Sequence, residues 1–320
     1  MRIFITGIAG FIGYHLAIAL AKRGDTVIGC DNFNQYYDPQ LKRVRANNLK
    51  ELGIQVFEGD ITETDVLEKH LMSFQITHVV NLAAQAGVRY SKIHPESYVH
   101  SNLNGFVALM EVIRRHPRIK LVYASSSSVY GLNQKTPFSE SDPTDYPSNL
   151  YAATKKSNEL IAHAYHHMYG ISVTGLRYFT VYGPWGRPDM AYFSFTRAIC
   201  EGKPISIYNK GDMQRDFTYI DDVVRGTIAA LDRESACEIF NLGNHHPESV
   251  LTLVSLIEKY TGKKAMREFL PMQSGEVFIT YADISKSNKL LNFWPTTSLE
   301  EGIAKFVEWY FSYNPSLYSV

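Results

Sequence analysis

Cysteine is scarce in this chain: Cys30, Cys200 and Cys237 are odd in number and far apart, which argues against a disulfide framework or a thiolate zinc site and fits a reducing cytoplasm. An excess of one charge is missing as well. Lys plus Arg and Asp plus Glu stand at 32 each, so no global field draws the chain to nucleic acid or to an anionic membrane, and any anionic ligand has to be held by local groups. No apolar run reaches the roughly 18 residues that a spanning helix needs. The apolar N-terminus, MRIFITGIAGFIGYHLAIALAKRG, is broken by Gly7, Gly10 and Gly13 and shows no signal-peptide pattern. Low-complexity tracts and internal repeats are also absent.

What is present is the profile of an ordinary globular protein, 45% apolar and 20% charged over 320 residues, with enough chain for a sizeable core and for two modest domains. Short β-rich runs alternate with helical patterns. RIFIT (2–6), TVIGC (26–30), IQVFEG (54–59), THVVNLA (77–83), KLVYAS (120–125) and SVTGLRYF (172–179) read as strands, and 11–23, 97–116 and 151–169 read as helices. Repeated βαβ units predict an α/β fold, a doubly wound (Rossmann) parallel sheet with helices on both faces. After about residue 180 the rhythm changes, broken by Pro184, Gly186, Pro188, Gly202 and Pro204. The expected division is a dinucleotide-binding domain over 1–180, with returns to it near 214–245, and a smaller α/β substrate-binding lobe over 181–320.

The turn TGIAGFIG follows the first strand and enters a helix, spacing Gly7, Gly10 and Gly13 as G-x-x-G-x-x-G. Absent Cβ atoms let a pyrophosphate approach the backbone, and the helix N-terminus offers it unpaired N–H groups. Asp31, at the end of the second strand, stands where an acid accepts hydrogen bonds from an adenosine ribose and repels a 2′-phosphate, so NAD is expected rather than NADP. Lys42 and Arg43 in LKRVR would host that phosphate if they folded back, but read more simply as a solvated helical face. Asp60 in EGDIT is placed to meet the adenine amino group, and Asn81, Ala83 and Ala84 in NLAAQ leave room for a flat ligand.

YASSSSVYG (123–131) ends the fifth strand, and Tyr151 and Lys155 stand at i and i+4 of the helix that follows. An ammonium beside a phenol favours the phenolate, lowering a pKa of about 10 toward the range where tyrosine works as a general base. Taken together, the glycine turn, Asp31, Asp60, NLAA, the serine run before VYG, Tyr151-x-x-x-Lys155 and RDFTYIDD (215–222) resemble the extended short-chain dehydrogenase/reductase superfamily over most of the chain. Longer stretches resemble its UDP-glucuronate 4-epimerases: DNFNQYYDPQLKRVR (31–45), QAGVRYS (85–91), DYPSNLYAATKKSNEL (145–160), TVYGPWGRPDMA (180–191) and PMQSGEV (271–277).

The resemblance implies NAD as a retained cofactor, contacted by Gly7, Gly10, Phe11, Ile12, Gly13, Asp31, Asn32, Lys42, Asp60, Ile61, Leu82, Ala83, Ala84, Tyr151, Lys155 and Tyr178. It implies Tyr151, Lys155 and Ser126 as catalytic, Tyr151 removing the proton of the sugar's 4-hydroxyl while hydride leaves carbon 4. A transient 4-keto sugar then turns its other face and is reduced, converting UDP-glucuronate to UDP-galacturonate. The substrate's carboxylate is β to that ketone, and the expected residues that hold it against loss of carbon dioxide are Ser127, Ser128 and Thr180, with Arg187 and Arg89 as charge partners. Arg215 is expected at the phosphates or ribose, Glu276 at the uridine ribose and Phe193 at the uracil. Resembling dehydratases carry an acid pair after the catalytic hydroxyl, and decarboxylating relatives keep a glutamate there; Ser127 and Ser128 offer neither. UDP-glucose 4-epimerase and UDP-glucuronate decarboxylase remain the alternatives on this scaffold, and a non-catalytic NAD-sensing protein the alternative of another class.

No metal site is predicted. His163 and His167 share a helical face without the glutamate of a zinc motif, and His245 and His246 have no carboxylate cluster beside them. Relatives of this type pair two helices from each subunit into a four-helix bundle, so a homodimer through 97–116 and 151–169 is the expected assembly.

Overall fold

A computed structural model describes residues 1–233, 235–272 and 275–313; Gln273 and Ser274 of the PMQSGEV stretch lie outside the described residues. In chain order the strands are β1 (Arg2–Thr6), β2 (Thr26–Asp31), β3 (Gln55–Glu58), β4 (His78–Asn81), β5 (Lys120–Ser126), β6 (Val173–Tyr178), β7 (Thr180–Tyr182), β8 (Pro204–Tyr208), β9 (Gln214–Tyr219), β10 (Cys237–Leu242), β11 (Pro247–Ser249) and β12 (Met266–Leu270). Seven of them form one sheet in the order β10-β6-β5-β4-β1-β2-β3, every pairing parallel.

The strands are apolar on both faces because both are covered. Ile3 and Ile5 of β1 enter one core cluster and Phe4 the other, as do Val122 against Leu121 and Tyr123 of β5. Helices Phe11–Arg23 and Ile220–Asp232 pack together on the first face; Thr64–Ser73, Gly105–Arg115 and Leu150–Tyr169 cover the second. Beyond β1 the chain builds outward first through β2 and β3, then on the other side through β4, β5 and β6. The reversal opens a crevice at the carboxyl ends of the strands.

The second part of the chain is assembled differently from the sequence expectation. β10 does return to the large sheet, pairing with β6, but the strand at 214–219 does not. Only Phe179 separates the end of β6 from Thr180 at the start of β7, which carries the chain off the large sheet; β9 follows β7 in parallel and takes β11 antiparallel, while β12 pairs with β8. Helix Leu299–Tyr313 closes this part, burying Ile303, Phe306, Val307 and Tyr310. Among the described residues no helix is long and apolar enough to cross a membrane.

One buried carboxylate ties the small sheet to the large one. Asp216 of β9 accepts the backbone N–H groups of Asn244, of His245 (3.1 Å) and of Ala282 (3.0 Å), and the Thr218 hydroxyl (3.2 Å). Asp222, farther along RDFTYIDD, likewise accepts Thr296 N–H (3.0 Å) and Thr297 N–H (3.1 Å). Asp216 and Asp222, two of the motif's three acids, therefore hold backbone. Asp216→Ala strands three N–H donors, and we expect a loss of at least about 3 kcal/mol, read as a lower midpoint in urea denaturation with a similar slope.

Candidate functional site

The crevice is a cleft of about 950 Å³, the size of sites that hold extended organic ligands. Of the residues expected at the site, all line it except Phe193 and Asn81, and the Asn81 side chain instead accepts the Thr6 hydroxyl at 2.6 Å. Its floor begins at the glycine turn. Gly7 has φ +70°, and a Cβ there would lie 2.8 Å from the Ala83 nitrogen; one on Gly13 would overlap the Gly7 carbonyl. Helix Phe11–Arg23 starts at an extended Gly10 with no side-chain cap and no acid in its first turn. Its free N–H groups and positive end are open to an anion, so these residues fit a dinucleotide pyrophosphate.

Asp31 ends β2 almost fully buried and accepts the Phe33 N–H at 2.9 Å. Burial raises its pKa, opposed by the nearby Lys42 charge and the Phe33 hydrogen bond. Lys42 corrects the expectation of a solvated face. It is buried, and its Nζ donates to the Asn34 carbonyl (2.9 Å) and to Asn34 Oδ1 (2.6 Å), fixing the loop after β2. Arg43 is the exposed one, paired with Glu58 at 2.7 Å and lying over the Phe33 ring. Asn32 donates to Asp60 at 2.8 Å. Burial opposes ionisation of Asp60, yet hydrogen bonds from Thr62 and Asn32 hold its pKa below the usual value. Phe11, Ile12, Ile61, Leu82, Ala83 and Ala84 supply the apolar walls.

At the end of β5, Ser126 caps the turn Ser127–Tyr130: its Oγ accepts the Ser128 N–H at 3.2 Å and donates to Ser128 Oγ at 3.1 Å. Helix Leu150–Tyr169, capped by Asn149, brings Tyr151 to Ser126 and Lys155 to the strand backbone. Here the structure departs from the expected electrostatics. Lys155 Nζ donates to the Ala124 carbonyl at 2.8 Å, and burial lowers its pKa to about 8. Burial dominates at Tyr151 too and raises its pKa; the groups pulling the other way are a hydrogen bond with Ser126 and the charge of Arg187, not Lys155. Tyr178, at the end of β6, shares a hydrogen bond with Thr227 at 3.0 Å.

The far side of the cleft is rich in paired charge. Arg187 makes two hydrogen bonds to Asp189, at 3.1 and 2.5 Å, and Asp189 also accepts the Tyr36 hydroxyl at 2.9 Å. Burial works against the Arg187 charge, but Asp189 keeps its pKa above the usual value. Arg89 was expected with Arg187 near a sugar carboxylate; instead its Nε lies 3.7 Å from Glu276, which accepts Arg215 Nη2 at 3.1 Å, and its guanidinium lies over Tyr208. Burial lowers the Arg215 pKa, partly offset by Glu276. Thr180, at the start of β7, lines the same cleft.

Phe193 is the clear misplacement. It packs against Phe306, Trp309 and Tyr310 in the core, while Ala191, Ser194, Phe195 and Ala198 of the same helix line the cleft. That i, i+3, i+4, i+7 stripe was present in the sequence and points to Phe195 once the helix is phased. Tyr36, Asp189 and Tyr208 were missed because they sit in turns or on a short edge strand, where no periodicity marks them. Arg45 was missed for another reason, being fully buried behind the site: it donates to the Ala9 carbonyl (3.1 Å), the Tyr37 hydroxyl (3.0 Å), the Trp185 carbonyl (2.5 Å) and the Gly186 carbonyl (3.0 Å). It joins the glycine turn to the segment carrying Arg187. Among the described residues no three His, Cys, Asp or Glu side chains are grouped to hold a metal ion.

Residues 3–243 match the NAD dependent epimerase/dehydratase family. UDP-glucuronate 4-epimerase 1 of Arabidopsis thaliana is 53% identical over 98% of this chain and 77% of its own length. Among solved structures, the UDP-glucuronic acid 4-epimerase of Bacillus cereus in complex with UDP-glucuronic acid and NAD superposes with a TM-score of 0.92 at 39% identity, covering 98% of this chain and all of that one. The UDP-glucose 4-epimerase of Thermotoga maritima with UDP-glucose gives 0.90 at 29% identity, covering 98% of this chain and all of that one.

The two phenylalanines of helix Ala191–Cys200 separate packing from binding. Phe193→Ala is expected to destabilise the fold by about 3–5 kcal/mol with little change in KM per folded molecule. Phe195→Ala, at a half-buried position on the edge of the core, is expected to lower the melting temperature less than Phe193→Ala and to raise KM several-fold; thermal melts and steady-state kinetics on both variants check this.

Proposed function

We propose that this chain, which belongs to the NAD dependent epimerase/dehydratase family, inverts carbon 4 of UDP-glucuronate to give UDP-galacturonate. The observation that carries the reading is local. The Ser126 and Tyr151 pair is followed by hydroxyls at Ser127 and Ser128 rather than by acids, with Thr180 and the cation of Arg187 lining the same cleft. The similarity to UDP-glucuronate 4-epimerases supports it.

NAD, held by the glycine turn, Asp31 and the walls described above, supplies a hydride acceptor and donor that no side chain offers. The proton at the sugar's 4-oxygen is the task of Tyr151, which takes it and later gives it back, while Ser126 holds the same oxygen by a hydrogen bond. Because burial raises the Tyr151 pKa, the protonated phenol is favoured at low pH and activity rises with pH along the acid limb. Lys155, tied to Ala124, orders the floor of the site beside this pair.

A ketone at carbon 4 leaves the carboxylate poised to depart as carbon dioxide whenever the breaking bond aligns with the carbonyl π system. Arg187, Thr180, Ser127 and Ser128 hold it out of that alignment. Asp189 and Tyr36 fix the Arg187 fork for this work. Arg215 and Arg89, bridged by Glu276, face the UDP diphosphate and ribose, and Phe195 takes the place first given to Phe193 beside the base.

The same reading divides the work between an NAD-binding part over 1–180 that includes β10 and a nucleotide-sugar part over the rest. It also takes the protein to act in the cytoplasm as a homodimer. Val99, Val107, Leu160 and Met168, exposed on the two helices expected to pair, support the dimer. Light scattering on the eluting protein should give twice the monomer mass, and Leu160→Lys should shift it to monomer.

Incubation of the purified protein with UDP-glucuronate, followed by NMR without added reductant, should give UDP-galacturonate. UDP-xylose or a stable 4-keto sugar would overturn the reading, and turnover of UDP-galactose alone would move it to the glucose enzyme. Tyr151→Phe should retain NAD and lose at least about 100-fold in kcat; full activity in that variant would remove Tyr151 from its role.

A further inference from the structure

Helix Leu150–Tyr169 carries three side chains on one face at four-residue spacing, and each meets a successive residue of β5. Lys155 donates to the carbonyl of Ala124 at 2.8 Å, Glu159 accepts the hydroxyl of Ser125 at 2.6 Å, and Tyr151 lines the cleft beside Ser126. Tyr151 and Lys155 line the cleft, and Glu159 does not. Glu159 lies wholly inside the protein, and its two oxygens also receive Arg177 Nε and Nη2, each at 2.8 Å. Ser125 and Arg177 are register partners on β5 and β6, so one carboxylate grips two adjacent strands at the level of the catalytic serine. The fork is held from behind, its guanidinium lying 4.8 Å from the Tyr130 ring, whose hydroxyl donates to Asn241 at 2.7 Å.

A buried ion pair of this kind is weak ground for stability, since apolar residues of similar size often serve as well. Fixing a register is the better-attested use of such a pair. Of the other polar ties of the helix, Asn102 to Thr154 at 3.0 Å, Asn158 to the Asn102 carbonyl at 2.6 Å and Tyr165 to Glu111 at 2.7 Å run to neighbouring helical segments, and Lys155 to the Ala124 carbonyl holds it to β5 at one further point. Without Glu159 the Lys155 bond alone holds the helix to β5, and a helix pivoting about one point shifts by the fraction of an ångström that decides how closely Tyr151 approaches Ser126.

We propose that Glu159 is a positioning residue, which with Arg177 and Ser125 sets the register of the catalytic helix on β5 and so the distance between Tyr151 and Ser126. The inference rests on the epimerase reading for its kinetic arm only. Two variants test it: Glu159→Gln, which keeps the shape of the side chain but not its charge, and the double variant Glu159→Leu with Arg177→Met, which replaces the pair by apolar groups.

Three readouts are taken on each: thermal melting, kcat and KM for UDP-glucuronate, and the phenolate titration of Tyr151, measured as the absorbance difference from the same background carrying Tyr151→Phe. Expected are a fall in kcat of about tenfold or more with KM within about threefold. The phenolate midpoint should move up by about one pH unit, because Ser126, whose nearness favours the ionised form, no longer stands beside the phenol. A folded variant with the kcat and midpoint of the parent overturns the proposal, and should the double variant fail to fold, Glu159→Gln decides on the same readouts. A parent protein that does not turn over UDP-glucuronate overturns the functional reading instead, and the phenolate midpoint then decides the positioning role without turnover.

Discussion

Everything in the cleft depends on one topological constraint, the reversal of strand order at β1. Because β2 lies on one side of β1 and β4 on the other, the loops leaving β1 and β4 turn away from each other. The space between them is the one place on the sheet where a long ligand can lie across strand ends. The glycine turn is forced into that space, and the close approach of Gly7 to Ala83 shows how little room separates the two loops. The serine run enters the same crevice only because β5 is next in line after β4. Tyr151 and Lys155 follow because their helix must cover the β5 and β6 face.

A second pattern is that the cations around the cleft come already engaged. Lys42 is bonded to Asn34, Lys155 to the Ala124 carbonyl, Arg187 to Asp189, and Arg215 with Arg89 to Glu276. Paired this way, each cation keeps its place in a partly desolvated setting, where an unpaired one would be expensive to bury.

The parallel sheet was legible from sequence because strands covered on both faces must be apolar throughout, a signal that survives without any tertiary knowledge. The glycine turn, Asp31, Ser126 and Tyr151 were legible because their spacing is dictated by the strand-turn-helix geometry around them. What the sequence hid depends on rotation or on long-range partners. Phe193 and Phe195 differ only in the phase of one short helix, and that phase is set by Phe306 and Tyr310 more than a hundred residues later. Lys42 reads as a surface residue until the loop at Asn34 folds over it. The destination of 214–219 was hidden as well, since a run of strand-forming residues does not say which edge receives it.

Arg45 gives the cleft a mechanical property. Its guanidinium is shared between the carbonyl of Ala9 on the cofactor side and those of Trp185 and Gly186 on the other, with no water-exposed surface of its own. Parting the walls at this end would strip a charged group of its oxygens in a dry interior, whereas the opposite rim, where Arg89 and Glu276 meet near solvent, yields at little energetic expense. The two ends of the cleft are thus unequally fastened, with the tight one beneath the glycine turn.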